Sequence, residues 1–238
     1  MLSPYGRREW TTIIAVGLLL TLSALILGWW IPAVIILVLT AALVAFFRDP
    51  HRPVPAQRNV AVSPADGRIS SIHHLEYYEP FDGPAVCIRV FLSVLDVHVN
   101  RAPLHGMVQS TVHTPGQHLN ALNPESAQDN ESNLIEFVHP MTQEPVATVR
   151  QVAGLIARTI HCGVEPGEIV QRGQRIGLIK FGSTTELYLP GEFDPEVEVK
   201  EKQKVYGGLT VLARITPPER EAPDESPAAV ATTQSPPA

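Results

Sequence analysis

Val164-Glu165-Pro166-Gly167-Glu168-Ile169-Val170-Gln171-Arg172-Gly173-Gln174-Arg175-Ile176-Gly177-Leu178-Ile179-Lys180-Phe181-Gly182-Ser183-Thr184-Thr185 is the stretch on which the fold is read. Short apolar runs alternate with glycine turns, a pattern of strands joined by tight connections. The same pattern continues on both sides. It predicts strands at 60–62, 68–73, 85–92, 106–114, 134–139, 146–153, 175–181, 186–189, 197–199 and 209–215. Residues 204–210 partly echo 164–177, a weak internal repeat. The sequence Leu155-Ile156-Ala157-Arg158 is expected to begin a short helix. The 22 prolines and 16 glycines fit a turn-rich body better than a helical bundle. The fold class is therefore mainly β (α+β), with a barrel or sandwich-like body.

The amino-terminal part reads differently. No charged residue occurs between Glu9 and Arg48, a stretch of 38 residues from 10 to 47. As one straight helix it would extend roughly 57 Å, against a hydrocarbon core of about 30 Å. A helical hairpin fits better, with helices at 10–28 and 31–47 and a break at Gly28-Trp29-Trp30-Ile31-Pro32. Arg7 and Arg8 flank one end, Arg48 and Arg52 the other. Basic flanks at both ends place both on the cytoplasmic side, and the body with them. The stretch is too long for a signal peptide. A re-entrant or single tilted span stays open.

Three regions follow: 1–52 as membrane-anchoring hairpin and linker, 53–215 as the β-rich domain, and 216–238 as a disordered acidic, Pro-rich tail. Net charge is −6, and the first 52 residues carry +2, so the remainder carries −8. That balance argues against nucleic acid as a partner. Two cysteines, Cys87 and Cys162, make no disulfide framework, so a reducing compartment is expected.

Four clusters hold residues capable of chemistry: Ser63-Pro64-Ala65-Asp66-Gly67, Leu95-Asp96-Val97-His98-Val99-Asn100-Arg101-Ala102-Pro103, Asp129-Asn130-Glu131-Ser132-Asn133 and Phe181-Gly182-Ser183-Thr184-Thr185. Taken singly, Asp-Gly is a common turn. His98 and Asn100 alternate at strand spacing and can share a face, although a lone strand histidine is more often structural. The third reads as a solvated loop and the fourth as an ordinary turn. No cluster has metal-ligand spacing, and there is no nucleophile elbow or phosphate-binding glycine loop.

In order, these clusters resemble the phosphatidylserine decarboxylase family in its short bacterial, membrane-anchored form. Phe46-Phe47-Arg48-Asp49-Pro50, Gln151-Val152-Ala153-Gly154-Leu155-Ile156-Ala157-Arg158 and the 172–183 stretch complete the resemblance, which covers most of 46–215. The glycine-turn segments also resemble biotinyl/lipoyl-type hairpins, although an ordinary hairpin fits their spacing equally well.

The resemblance implies that the chain cuts itself between Gly182 and Ser183, and that Ser183 becomes a covalent pyruvoyl group. Residues 1–182 would then form the large β chain and 183–238 the small α chain. His98 is the implied base and Asp66 the residue that orients it, as in a hydrolase triad. The pyruvoyl group implies decarboxylation of phosphatidylserine in the membrane with no metal. Ser63, Asn100 and His105 are expected near the substrate. Longer members carry a second histidine three positions after the first; here that position is Arg101, so His98 serves two steps or His105 assists. A related phosphoserine lipid (archaetidylserine-like) and a non-catalytic membrane-anchored barrel module are the alternatives. The module would need a lysine at its hairpin tip, and the segment between the Gly-turn halves offers no convincing attachment sequence. A homo-oligomer is compatible with the sequence.

Overall fold

The computed structural model describes residues 1–117, 119, 129–154, 159–180 and 183–216. A single 3-10 turn (Pro4–Gly6) leads into α1 (Arg7–Ile26), and α2 (Trp30–Phe46) returns antiparallel to it. The turn between them contains Gly28 at φ +76°, a left-handed conformation that glycine adopts without strain. Most large side chains of the hairpin are exposed, among them Leu19, Ile26, Trp30 and Val38. No polar face interrupts them, so Pro4–Ile26 is long and apolar enough to cross a membrane.

The body begins with β1 (Val60–Val62), β2 (Gly67–Tyr78), β3 (Gly83–Leu92) and β4 (Val99–Arg101). It continues with β5 (Gly106–Thr114), β6 (Ser132–Val138), β7 (Pro145–Val152), β8 (Ile160–Cys162) and β9 (Ile169–Val170). Last come β10 (Arg175–Ile179), β11 (Ser183–Pro190), β12 (Glu196–Val197), β13 (Lys204–Val205) and β14 (Val211–Arg214). Eight of these form one curled antiparallel sheet, in the order β13-β2-β3-β11-β7-β6-β5-β9. Two three-stranded sheets, β1-β14-β12 and β4-β10-β8, complete the body. The main core lies against the inner face of the large sheet and includes Ile88, Val90, Leu92, Ile135, Val149, Leu187 and Leu189. The mainly β class and the two helices agree with the sequence reading. The alternation at His98 and Asn100 falls on β4 and the glycine-turn stretch on β9, while the short strands β8 and β13 are not among the predicted ones. The expected helix at 155–158 and the tail from 217 onward lie outside the described residues.

Residues 48–55, which composition reads as a linker, are docked on the body. The buried carboxylate of Asp49 accepts a 2.6 Å hydrogen bond from Arg101 Nη2 and a second from Arg175 Nε. Arg172 donates to the Pro55 carbonyl at 2.6 Å. The amino terminus closes over this strap: Ser3 N–H donates to Phe47 O and Asp49 N–H to Met1 O, both at 2.8 Å. Phe46 and Phe47 then pack with Val97, Val99 and Leu178 in a small second core, joined by Tyr5, Trp10 and Ile13 from the hairpin base. The base of the hairpin is therefore fixed beside β4 and β10.

Candidate active site

The chain changes sheets between β10 and β11. Ile179 ends a strand of the β4-β10-β8 sheet, and Ser183 opens a strand held in the large sheet between β3 and β7. Ser183 pairs with Leu92, the last residue of β3. It is fully buried, and among the described residues its Oγ has no hydrogen-bond partner. Strand alternation puts Ser183 on the same side as Thr185, Leu187 and Leu189, facing the core. Gly182, the other half of the expected cleavage site, lies outside the described residues.

His98 immediately precedes β4, which pairs with β10. Leu178 is opposite Val99, and Ile179 N–H donates to the His98 carbonyl at 3.2 Å. The imidazole is buried, its Nδ1 lies 2.9 Å from the Asp96 carbonyl, and the Phe46 ring covers it at 4.4 Å between centroids. A carbonyl only accepts, so Nδ1 carries the proton and Nε2 carries the basic lone pair. Burial lowers the His98 pKa to about 4, against the pull of the Asp96 carbonyl and of the Asp96 and Asp66 carboxylates. The ring is consequently neutral at pH 7 and able to accept a proton.

Asp66 lies in the turn between β1 and β2. Gly67 beside it is required by close approach, since a Cβ there would sit 2.1 Å from the Phe91 carbonyl oxygen. The Asp66 carboxylate is held by both terminal nitrogens of Arg52, with Nη2 to Oδ2 at 2.7 Å, and by Gly207 N–H at 2.8 Å. It makes no orienting hydrogen bond to His98; that position is taken by the Asp96 main chain. Asp66 acts on the imidazole through space. The Asp96 side chain is itself fixed, by Ser93 N–H at 2.9 Å, Ser93 Oγ at 2.7 Å and Lys204. Burial would raise its carboxyl pKa, but these hydrogen bonds outweigh that and hold it low.

Asn100 is buried in a chain of neutral polar groups. Its Nδ2 donates to Thr185 Oγ1 at 3.0 Å, and Gln151 Nε2 donates to its Oδ1 at 2.8 Å. Asn133 Nδ2 in turn donates to Gln151 Oε1 at 2.9 Å. The third cluster is thus partly interior: Asn130, Ser132 and Asn133 are buried, and Asn130 bridges Leu119 and the Ala153 carbonyl. Ser63 is also buried, but its hydroxyl donates to Ala65 O at 2.6 Å and shapes the turn that carries Asp66. His105 stands elsewhere. Its Nδ1 lies 3.0 Å from the Val170 carbonyl, and its ring lines a cleft of about 490 Å³ with Arg58 and Arg172, which none of Ser183, His98 and Asp66 lines. Arg101, at the position of the missing second histidine, anchors Asp49 of the strap.

Asp96, Arg52 and Gln151 are the site residues that sequence reasoning did not single out. Asp96 was visible two positions before His98, but its use of a main-chain oxygen has no sequence signature.

Comparison with known proteins defines first a class, a lyase of lipid metabolism. The family model described as phosphatidylserine decarboxylase matches residues 39–213. Relatives named phosphatidylserine decarboxylase proenzyme include one from Carboxydothermus hydrogenoformans, 42% identical over 203 residues, covering 85% of this chain and 92% of the relative. Another, from Rhodopirellula baltica, is 41% identical over 221 residues, 89% of this chain and 91% of the relative. A third, from Ralstonia nicotianae, is 44% identical over 190 residues, 79% and 84% respectively. The chain belongs to the phosphatidylserine decarboxylase family, and it is an enzyme that removes a carboxyl group.

Proposed function

We propose that this chain converts phosphatidylserine to phosphatidylethanolamine and CO₂, after cutting itself between Gly182 and Ser183. The observation that carries this reading is Ser183: a buried hydroxyl with no hydrogen-bond partner among the described residues, opening the strand that follows β10, which pairs with β4 next to the neutral His98. A buried polar group left unsatisfied costs about 1–3 kcal/mol and calls for an explanation. Reaction at that oxygen is one.

In the proposed maturation, His98 Nε2 takes the proton from Ser183 Oγ as the oxygen attacks the Gly182 carbonyl. The acyl group moves from nitrogen to oxygen, giving an ester. Removal of the Ser183 Cα proton then expels the Gly182 carboxylate and leaves dehydroalanine. Its enamine tautomerises and takes up water, releasing ammonia and leaving a ketone at residue 183. The Asp96 carbonyl keeps His98 in the required tautomer, while the Asp96 and Asp66 charges ease its transient protonation.

A pyruvoyl group fits position 183. The core-facing side of β11 offers neutral polar neighbours in Thr185 and Asn100, and main-chain pairing to β3 and β7 would hold the group in place. Such a group supplies an electron sink for the pair released as CO₂ departs. His98 is the proton donor proposed for the product.

The reading extends to location. With Arg7, Arg8 and Arg48 at the hairpin base, the positive-inside tendency puts the base and the body on the cytoplasmic side of the membrane. The test is to incubate purified protein with phosphatidylserine vesicles and follow the lipid product. Phosphatidylethanolamine formed by the wild type and not by Ser183→Ala is expected. Turnover of an ether-linked phosphoserine lipid in strong preference would favour the alternative substrate.

A further inference from the structure

The connection after β3 ends in two exposed apolar side chains, Val94 at 47% and Leu95 at 81% exposure. It lies at the active-site end of the large sheet, since Leu92 immediately before it pairs with Ser183. Asp96 and His98 follow directly. The Leu95 carbonyl accepts a hydrogen bond from Arg48, two residues beyond the end of α2. The turn is therefore joined to the base of the hairpin as well as to the site.

Helix length sets the height of that base. The 20 residues of α1 extend about 30 Å, the thickness of a hydrocarbon core, and leave no spacer beneath the body. Arg7 and Phe46, at the two helix ends, then stand at headgroup level. So does Arg48, and with it the Val94-Leu95 turn. Arg7 and Arg8 are exposed there and Arg48 is partly so, a set of cations suited to lipid phosphates.

We propose that the Val94-Leu95 turn inserts into the interfacial layer of the leaflet that the hairpin enters, ringed by Arg7, Arg8 and Arg48 on anionic lipid phosphates, and forms the membrane-side lip of the site at Ser183. The inference rests on the hairpin being a membrane anchor. It gives the loop a task distinct from anchoring: a lipid headgroup moves sideways from the leaflet to Ser183 without leaving the interface. Apolar side chains beside basic ones are the usual composition of such interfacial contacts.

The test uses the full chain in vesicles of phosphatidylcholine and phosphatidylglycerol. Leu95→Cys carries an environment-sensitive fluorophore in a Cys162→Ala background. Cys87 is buried, its thiol is pushed up to about 12, and it does not compete for label. Met141→Cys is the reference. Met141 is 87% exposed on the turn between β6 and β7, at the far end of strands about 25 Å long. Lipids carrying a spin label high on the acyl chain should quench the probe at 95 strongly and the probe at 141 little. Equal quenching at the two positions overturns the proposal. Quenching needs no turnover, so it decides the lip even if the substrate assignment fails.

Activity supplies a second reading. Leu95→Ser should lower the ratio of kcat/KM on vesicles to kcat/KM on a dispersed short-chain substrate by roughly threefold to tenfold, the effect of withholding one apolar side chain from the interface. An unchanged ratio contradicts the lip.

Discussion

Replacing Asp49 by Ala should destabilise the body severely, although the residue lies in a segment that composition marks as a linker. Its carboxylate is fully buried and faces Arg101, whose side chain is 9% exposed, and Arg175, which is 37% exposed. Breaking a buried pair by removing one partner costs about 3–5 kcal/mol, because the other charge is stranded. Arg101 keeps the carbonyls of Gly173 at 3.0 Å and Pro50 at 3.2 Å, and Arg175 can turn to solvent. The lower bound is therefore appropriate, about 3 kcal/mol. For a body of this size that corresponds to a fall in Tm of about 6–12 °C. Thermal unfolding in detergent, in a Ser183→Ala background that keeps one chain, measures it. Adding Arg101→Met removes the stranded cation and should restore part of the loss. A fall of less than about 1 kcal/mol, the worth of a surface pair, would refute the reasoning. The strap would then be a passive linker.

Other expectations follow from the same geometry. Because burial lowers the His98 pKa to about 4, its base form persists well below pH 6.5. Self-cleavage of freshly made precursor should be flat from about pH 5.5 to 8 and fall only near the lowered value; a midpoint near 6.5 would show a solvated imidazole. The same shift makes stability decline as pH falls below the ordinary histidine value, since the unfolded chain then binds a proton that the folded one refuses until about pH 4. Gln151→Leu strands Asn100 Oδ1 and Asn133 Nδ2, which should cost about 2–4 kcal/mol in denaturant unfolding and slow cleavage. Gly67→Ala should cost at least about 2 kcal/mol, because its Cβ would meet the Phe91 carbonyl, which is backbone held in a sheet; wild-type stability would show that the turn yields.

Much of this molecule is legible in its residues. The uncharged run from 10 to 47 marks the hairpin, and alternation marks the long strands, because burial on one face writes itself into every second position. The structure starts β11 at Ser183 rather than at 186 because Ser183, Thr184 and Thr185 are polar yet buried, and apolar pattern alone does not see them. The order of motifs pointed to Ser183, His98 and Asp66 together. In the fold β4, which follows His98, pairs with β10, Ser183 pairs with Leu92 at the end of β3, and the Pro64 carbonyl, accepting from Arg101 N–H at 2.8 Å, ties the Asp66 turn to β4. Illegible were the contacts made by main chain or by distant charges. The Asp96 carbonyl on His98, Arg52 on Asp66 and Asp49 on Arg101 join positions that only the folded chain brings together. Composition around residue 50 resembles a linker because ion pairs, unlike apolar packing, leave no periodicity.

Denaturing mass spectrometry of the purified full-length protein tests the central claim most directly. Two chains divided between Gly182 and Ser183, the smaller with a ketone in place of its amino-terminal amine, are the predicted result. A single intact chain of 26.0 kDa, persisting in membranes or detergent, or a cut at any other bond, would contradict it.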